Sequence, residues 1–385
     1  MEVPDYRGGG ILNLMASVGA GLQGPDLGYP ACALLNGKPL GAARRILLLV
    51  VDGLGWNHLT ASAAGGELQS RCLGPLSSVA PPTTAAAIPV FLTGLPPARH
   101  GFTGWFTWLR ELGCVSAVLP HVTRHGRLPL PAEPGPLPLS GCRPLFEQLP
   151  VESHVLSPKL IAGSVFNRAF SQGAKVHAYK DMKGFFHRLS ALLRRGRERR
   201  YVYAYWPQLD TLAHDHGIGS RPVADHLAAF DQAFGRLLRE IQGSDTVVLV
   251  TADHGFVDVP PERVLHLDAH PEMADCLSLP LCGEPRFAYC YVRAALRERF
   301  EAYVRSELAG RFDLFTGQAL IDQGLFGPGP FHPELAHRVG DYVLVARENY
   351  VFKDRLSAER EFHHVGVHGG LSEDELRVPL VYAEV

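Results

Sequence analysis

Three hydrophobic runs along the chain each end at polar residues. Residues 46–51 are all aliphatic, and residues 246–251 are aliphatic or threonine. Residues 201–206 are aromatic apart from one valine and one alanine. This pattern is typical of strands that are buried on both faces of a sheet. Asp52 directly follows the first run, and Asp253 comes two residues after the last. The sequence therefore predicts buried strands whose carboxyl ends carry acidic groups.

Amphipathic helices are predicted between these strands. The apolar residues within 185–193 and 223–241 recur at helical spacing, so each segment has one apolar face. Strands that alternate with helices indicate an α/β fold with a mainly parallel central sheet. We expect a three-layer αβα sandwich, in which ligands bind beyond the carboxyl ends of the strands. The acidic residues that follow the strands would then collect at one edge of the sheet.

The pattern changes between residues 260 and 361. A strand, a helix and a second strand are predicted there at 287–292, 295–308 and 342–346. We interpret 260–361 as a smaller inserted α+β cap lobe. Residues 1–259 and 362–385 would form the core.

Composition narrows the class of protein. Of 385 residues, 46% are hydrophobic and 20% are charged, and a formal net charge of −2 provides no extended basic surface for a nucleic-acid polymer. The seven cysteines include no Cys-x-x-Cys pair, which favours a reducing compartment over a disulfide framework. Neither a signal peptide nor an apolar run of the roughly 20 residues that span a bilayer is apparent. We expect a soluble cytoplasmic protein that does not bind membranes.

Two pairs of neighbouring acidic and histidine residues are candidate metal ligands. Asp210 and His214 are four residues apart, so on a helix they project from the same face and could hold one ion. Asp253 and His254 precede Gly255, where a tight turn would let adjacent side chains reach one ion. Each pair taken alone is equally compatible with an ordinary structural role.

Two further candidates complete the set. Asp52 stands where a strand meets Gly53, and His368 precedes two glycines near the end of the chain; a turn-capping Asp and a plain glycine turn are the alternatives. Three Asp and three His form an oxygen and nitrogen donor set that suits zinc, and manganese or iron would fit the same set. The set is large enough for two ions. Competing candidates lie nearby at Asp215, His216, His363 and His364.

A candidate nucleophile lies at the start of a predicted helix. Thr83 and Thr84 precede a run of three alanines. The amino end of a helix favours phosphate oxygens and developing negative charge. An ordinary N-cap is the alternative role for either threonine, and the residues alone do not choose between them.

Together these segments resemble the alkaline phosphatase superfamily and, within it, the nucleotide pyrophosphatase/phosphodiesterase family. The resemblance extends over residues 45–260 and 360–385 and is weaker between them. Five motifs in the family's order carry it: Val51-Asp52-Gly53, Thr84 with Thr93-Gly94-Leu95 and His100-Gly101, Asp210-x-x-x-His214, Ala252-Asp253-His254-Gly255, and His368-Gly369-Gly370.

The resemblance implies a phosphodiesterase or nucleotide pyrophosphatase that uses two divalent metal ions, most simply Zn²⁺. In the family the nucleophile lies nine residues before the Thr of the Thr-Gly-Leu element, which selects Thr84 over Thr83. A phosphothreonine intermediate and a small phosphate-ester substrate, such as a nucleotide, follow from this resemblance. It also implies two ligand sets: Asp52, Thr84, Asp253 and His254 for the first ion, and Asp210, His214 and His368 for the second.

The chain departs from the family's pattern after His100-Gly101. Phosphodiesterase members carry an Asn there that binds a phosphoryl oxygen, whereas this chain reads Phe102-Thr103-Gly104-Trp105. Thr103, or backbone N–H groups, would have to take over that contact. A phosphomonoesterase with the same site is therefore one alternative function. A catalytically silent metal-binding protein is another, from a different class.

Two related chemistries are disfavoured, and one residue stays ambiguous. No Cys-x-Pro-x-Arg element exists from which a sulfatase could form its formylglycine, and phosphoglycerate mutase relatives use Ser as the nucleophile.

Arg286 could contact substrate or form a structural ion pair. The sequence leaves the oligomeric state open.

Overall fold

The computed structural model describes residues 2–61, 66–194, 196, 198–357, 359 and 363–385. Within these residues the chain forms eighteen strands. In chain order they are β1 (Arg45–Val51), β2 (Cys72–Ser77), β3 (Phe106–Leu109), β4 (Cys114–Ala117), β5 (Val122–Thr123), β6 (Glu152–Pro158), β7 (Ala174–Tyr179), β8 (Arg200–Trp206), β9 (Thr246–Thr251), β10 (Val257–Asp258), β11 (Val264–His266), β12 (Cys282–Glu284), β13 (Phe287–Cys290), β14 (Phe312–Thr316), β15 (Tyr342–Ala346), β16 (Val351–Lys353), β17 (Gly366–Val367) and β18 (Arg377–Glu384).

Sixteen α-helices lie between the strands in the same described residues. In chain order they are α1 (Ile11–Gly21), α2 (Trp56–Ala61), α3 (Glu67–Ser70), α4 (Thr84–Thr93), α5 (Pro97–His100), α6 (Pro136–Ser140), α7 (Lys159–Ala162), α8 (Val165–Phe170), α9 (Met182–Arg194), α10 (Gln208–His216), α11 (Arg221–Glu240), α12 (Pro271–Cys276), α13 (Arg297–Glu307), α14 (Gly317–Asp322), α15 (Leu335–Val339) and α16 (Glu373–Leu376).

The first sheet has seven strands in the order β2-β18-β9-β1-β8-β6-β7. The five strands from β9 to β7 run parallel, and β18 is antiparallel to both of its neighbours. Every residue of β1 and β9 is buried, because both faces of the sheet are covered. The three strands predicted from the hydrophobic runs are confirmed: β9 has the predicted bounds, and β1 and β8 each begin one residue earlier.

Two groups of helices share one hydrophobic core with this sheet. In one group α11 contacts α3, α9 and α10, and in the other α4 contacts α1 and α8. The apolar face predicted on residues 223–241 becomes α11, whose buried residues include Phe230 and Phe234. The α/β fold with a mainly parallel central sheet, expected from the sequence, is therefore confirmed.

A second sheet of seven strands is antiparallel, in the order β14-β15-β13-β12-β3-β4-β5. β15 has the predicted bounds, whereas β13 and α13 are shorter than predicted by two and three residues. Strands β3, β4 and β5 come from residues 106–123, which belong to the core as predicted from the sequence. They are short and only partly buried, so they lack a continuous hydrophobic run. The domain boundaries at 260 and 361 stay a prediction, and residues 361 and 362 lie outside the described residues.

Two glycines allow the second sheet to approach the loop before β3. A Cβ atom added to Gly104 would lie 2.7 Å from the Cα atom of Gly283. Only two backbones without side chains can come this close. The contact brings Glu284, at the end of β12, toward the edge of the first sheet.

In the part of the chain that the structure describes, no helix is long and apolar enough to cross a membrane. All seven cysteines are free thiols. The cytoplasmic location stays a prediction.

Candidate active site

Three adjacent strands bring acidic residues to one edge of the first sheet. β9, β1 and β8 lie side by side, and Val51 at the end of β1 is opposite Trp206 at the end of β8. Asp52 follows β1 and Asp253 follows β9, while Asp210 lies in the first turn of α10, just beyond β8. The carboxyl groups that the sequence places after three strands thus collect at one place.

The first group of potential ligands contains Asp52, Asp253 and His254, whose ligand atoms all lie within 4.8 Å of one another. Nε2 of His254 is 3.2 Å from Oδ1 of Asp52 and 3.6 Å from Oδ2 of Asp253. The second Asp52 oxygen accepts a hydrogen bond from the hydroxyl group of Tyr205. All three side chains of the group are almost completely buried.

The second group shares His254 with the first. Asp210, His254 and His368 also have ligand atoms within 4.8 Å of one another. Oδ1 of Asp210 is 3.9 Å from Nε2 of His368 and 3.4 Å from Nε2 of His214. The rings of His254 and His368 stack with centroids 3.7 Å apart. The structure therefore brings together all six Asp and His residues singled out from the sequence.

Backbone carbonyls fix the orientation of two of the histidine rings. Nδ1 of His254 lies 3.1 Å from the Gly255 oxygen, and Nδ1 of His214 lies 2.9 Å from the Gly366 oxygen. A ring nitrogen in that position donates its proton to the carbonyl, so Nε2 keeps its lone pair. In both rings Nε2 faces the Asp210 carboxylate, which is the arrangement of a metal-binding imidazole.

The carboxyl groups of the cluster are held in an unfavourable environment. Burial raises the pKa of Asp52 to about 6 and that of Asp253 to about 7. Burial, together with the nearby charges of Asp52 and Asp253, raises the pKa of Asp210 well above its usual range. Burial also lowers the pKa of His214 to about 3. The site thus concentrates carboxylate oxygens and imidazole nitrogens in one place.

This donor set fits divalent metal ions. Among the residues that the structure describes, four buried atoms of this set have no hydrogen-bond partner: Asp52 Oδ1, Asp210 Oδ1, Asp253 Oδ2 and His368 Nδ1. Buried polar atoms without partners are costly, and buried charges are normally paired or bound to a metal. Carboxylate oxygens and imidazole nitrogens are the ligands that zinc and similar ions take.

The two candidate threonines have different surroundings. Thr84 is the first residue of α4, and its Oγ1 lies 3.2 Å from Nε2 of His254. Thr83 is the residue that caps α4, but its side chain is buried and its hydroxyl donates to Oε1 of Glu284 at 2.7 Å. Only Thr84, of these two, therefore touches the ligand cluster.

Glu284 is a neighbour of the site that the sequence does not reveal. Its Oε1 also accepts a 2.7 Å hydrogen bond from the backbone N–H of Trp105. Burial raises the pKa of Glu284 to about 7. Glu284 belongs to no motif, and it reaches the site only because the second sheet folds against Thr83, which lies 201 positions earlier in the chain. No pattern in the sequence signals this contact.

Thr103 is not part of the cluster. It is fully buried, and its hydroxyl donates to the Arg338 carbonyl at 3.4 Å. Its own carbonyl accepts a 2.7 Å hydrogen bond from the hydroxyl of Tyr289. The substrate contact predicted for Thr103 stays a prediction that this geometry does not favour.

The competing candidates lie at the margin of the site. Asp215 and His216 are exposed. The ring of His364 lies 4.4 Å from that of His214, outside the two ligand groups found among the described residues. Arg286 forms a buried ion pair with Glu375, so of its two interpretations the structural ion pair is confirmed.

A comparison that spans most of the chain identifies its family. The family model for type I phosphodiesterase / nucleotide pyrophosphatase matches residues 46–371. The chain belongs to this family. The resemblance inferred from the five motifs, to nucleotide pyrophosphatases/phosphodiesterases within the alkaline phosphatase superfamily, is confirmed. Family membership supports a hydrolase of phosphoric esters. No curated protein sequence matches the chain.

Solved structures share the fold of this phosphodiesterase-family chain at low sequence identity. Murine ectonucleotide pyrophosphatase/phosphodiesterase 5 is 14% identical, with 87% of each chain covered and a TM-score of 0.66. An inactive form of that murine protein in complex with AMP has 14% identity, the same coverage and a TM-score of 0.65. Phosphonoacetate hydrolase from Sinorhizobium meliloti 1021, in complex with phosphonoacetate, is 17% identical, with 89% of this chain and 90% of that chain covered and a TM-score of 0.64.

Proposed function

We propose that the protein is a two-metal phosphodiesterase of the nucleotide pyrophosphatase type, with Thr84 as its nucleophile. One observation carries the proposal: Oγ1 of Thr84 lies 3.2 Å from Nε2 of His254, the side chain common to both groups of potential metal ligands. A hydroxyl at that position adjoins both candidate ion sites. Membership of the phosphodiesterase family supports the same reaction class.

The division of the ligands between the two ions is the one that the family resemblance implies. Asp52, Asp253, His254 and Thr84 would hold one ion, and Asp210, His214 and His368 the other. We propose zinc, because nitrogen and oxygen donors in sets of three or four are typical of zinc sites. Bound divalent ions would lower the pKa of a coordinated hydroxyl and neutralise negative charge on the phosphoryl oxygens.

Thr84 would act as a covalent catalyst. Its oxygen loses its proton and forms a bond to phosphorus while the bond from phosphorus to the leaving oxygen breaks. The leaving oxygen takes up a proton and departs as the alcohol, and the phosphoryl group stays on Thr84. In the second half of the reaction, a water oxygen displaces the Thr84 oxygen and restores the free hydroxyl. The intermediate is a phosphothreonine ester.

The position of Thr84 at the first residue of α4 suits this role. The N–H groups of Ala86 and Ala87 bond to the Thr83 carbonyl and close the first turn of the helix. The positive end of the helix dipole therefore lies at Thr84, where it favours the phosphoryl oxygens. Because Thr83 donates to Glu284, Thr84 is the hydroxyl left at that end.

We propose a small phosphate ester as substrate, and a nucleotide as one possible form of it. Support comes from related folds: one neighbour binds AMP and another binds phosphonoacetate. Both are small anions with a phosphoryl or phosphonyl group. We further propose that the diester is preferred, since the family is one of phosphodiesterases.

Metal content and substrate preference test the proposal together. Metal bound per chain is measured by mass spectrometry, and hydrolysis of bis-p-nitrophenyl phosphate and p-nitrophenyl phosphate is measured on the same preparation. Two divalent ions and faster diester turnover are expected. Faster monoester turnover would point to a phosphomonoesterase, and a protein with two ions and no esterase activity to a silent metal-binding protein. Absence of bound metal after reconstitution with zinc would contradict the proposal.

A further inference from the structure

We propose that Arg286 and Glu375 are a positioning pair, which holds the two turns bearing His254 and His368 and so determines how tightly the site binds divalent metal ions. The inference rests on the proposed two-metal function, but it concerns residues outside the ligand set. Arg286 precedes β13 of the second sheet, and Glu375 lies in α16. The pair therefore joins the second sheet to the site at the edge of the first.

The pair is bidentate and fully enclosed. Nε of Arg286 is 2.7 Å from Oε1 of Glu375, and Nη2 is 2.9 Å from Oε2. Their side chains are 1% and 0% exposed. The Arg286 guanidinium also donates to the carbonyls of Tyr350 and Glu348 at 2.7 Å each. These backbone contacts hold the arginine in one orientation.

Glu375 connects this fixed arginine to both metal-binding turns. Its Oε1 accepts a 2.7 Å hydrogen bond from the backbone N–H of Gly370, two residues after His368. Its backbone carbonyl accepts a 2.8 Å bond from the N–H of Gly255, the residue after His254. One residue thus bonds to the backbone beside both histidines. His254 and His368 are the pair whose rings stack within the site.

The fit around Gly370 is too close for a side chain. A Cβ atom at this position would lie 2.8 Å from Nε of Arg286 and 2.8 Å from Oε2 of Glu375. The backbone of the turn therefore rests directly on the ion pair. This contact explains why a glycine stands two residues after the histidine, whereas the histidine alone would not require one.

Glu375 acts on the turns and not as a ligand. Its two oxygens receive four donors: Nε and Nη2 of Arg286, the Gly370 N–H, and the hydroxyl of Ser372 at 2.6 Å. A carboxylate with these bonds has no free lone pair directed at an ion. A buried ion pair is weak evidence for stability in itself, because desolvation offsets the attraction between the charges. Positioning of the turns is the role that the contacts support.

The test measures zinc affinity of the metal-free, folded protein by competition with a chromophoric zinc chelator. The variants are Glu375→Gln, which removes the charge, and Arg286→Met, which removes the fixed donor. Outer-shell partners of metal ligands typically contribute 10- to 100-fold to metal affinity, so we expect a loss of at least about tenfold in both variants. The stability of the same metal-free proteins is measured in parallel by urea unfolding.

Arg338→Met is the matched control. Arg338 is also fully buried and pairs with Glu111 at 2.7 Å, and it bonds to the carbonyls of Gly101 and Leu139 and not to either metal-binding turn. We expect this variant to lose stability while it binds zinc as tightly as wild type. Equal loss of zinc affinity in Arg338→Met and Glu375→Gln would overturn the inference, since general destabilisation would then explain both.

Wild-type zinc affinity in folded Glu375→Gln would also overturn it. If Arg286→Met does not fold, Glu375→Gln decides the question together with Ser372→Ala, which removes one donor to Oε2 and should weaken zinc binding less. Failure of the proposed function is a different result: the wild-type protein itself would then bind no zinc.

Discussion

Oε1 of Glu284 accepts a 2.7 Å hydrogen bond from the hydroxyl of Thr83, the residue directly before Thr84. The same oxygen accepts a bond from the N–H of Trp105. Glu284 comes from the second sheet, whereas Thr83 precedes the helix that begins with Thr84. A residue of the second sheet therefore fixes the chain on the amino-terminal side of the proposed nucleophile.

Replacement of Glu284 should reduce turnover. In Glu284→Ala, Thr83 and Trp105 lose their common acceptor, and each unpaired buried donor costs about 1–3 kcal/mol. Movement of Thr83 would misplace Thr84, for which we expect a loss of about 100-fold in kcat for bis-p-nitrophenyl phosphate. Glu284→Gln keeps an acceptor oxygen and should lose much less. Equal activity of Glu284→Ala and wild type would show that the contact does not position the nucleophile.

Removal of the Thr84 hydroxyl should separate metal binding from catalysis. Three proposed ligands of the first ion, Asp52, Asp253 and His254, are unchanged in Thr84→Ala, so zinc should still bind. Turnover should fall by several orders of magnitude because the covalent step is lost. Thr60→Ala, which changes an exposed threonine on α2, is the control and should be as active as wild type. A zinc-loaded Thr84→Ala protein with normal turnover would refute the assignment.

Charge repulsion in the metal-free site predicts a stabilising substitution. Asp52 and Asp253 are buried, and Asp210 is half-buried beside them. Burial raises the pKa of Asp52 to about 6, and burial together with the charge of Asp52 raises the pKa of both Asp210 and Asp253. At pH 8, metal-free Asp52→Asn should therefore be more stable than metal-free wild type in urea unfolding, by about 3 kcal/mol. With zinc the order should reverse, since the variant lacks a ligand. A metal-free variant less stable than wild type would contradict the repulsion.

Stability should fall in acid because of His100. This ring is completely buried, its Nδ1 accepts a 3.1 Å hydrogen bond from the N–H of Phe102, and burial lowers its pKa to about 3. In the unfolded chain His100 binds a proton below about pH 6.5, whereas in the folded protein it stays neutral down to about pH 3. The free energy of unfolding is therefore highest, as far as His100 is concerned, above pH 6.5. It falls as the pH drops from 6.5 toward 3.

His100→Gln measures this contribution. Between pH 6 and pH 4, the free energy of unfolding of metal-free wild type should fall by about 1.4 kcal/mol per pH unit more than that of the variant. His125→Gln, at an exposed histidine, should have the slope of wild type. Identical slopes for His100→Gln and wild type would mean that His100 does not titrate in this range.

Much of the central sheet could be predicted because a strand that is buried on both faces consists of a continuous hydrophobic run. β1, β8 and β9 are hydrophobic runs, and their ends are correct within one residue. Strand β7 has exposed residues at the edge of the sheet and carries no such run. The three short strands within 106–123 carry no such run either, so the sequence does not distinguish them from the core.

The candidate site likewise contains some residues that the sequence predicts and others that it does not. His254 and His368 stand in recognisable local motifs after predicted elements, and the structure brings them together. Glu284 and Glu375 have no local motif, since their contacts with Thr83 and Arg286 join segments far apart in the chain. Such residues become visible only when the second sheet is folded against the first.

The most direct test of the central claim is a search for the covalent intermediate on Thr84. Zinc-loaded protein is mixed with bis-p-nitrophenyl phosphate, quenched in acid during turnover, digested, and analysed by mass spectrometry. The account predicts the substrate's phosphoryl group on the peptide that contains Thr84, and its absence from the same peptide of Thr84→Ala. Full turnover with no modified Thr84 peptide, or modification at another residue, would contradict it.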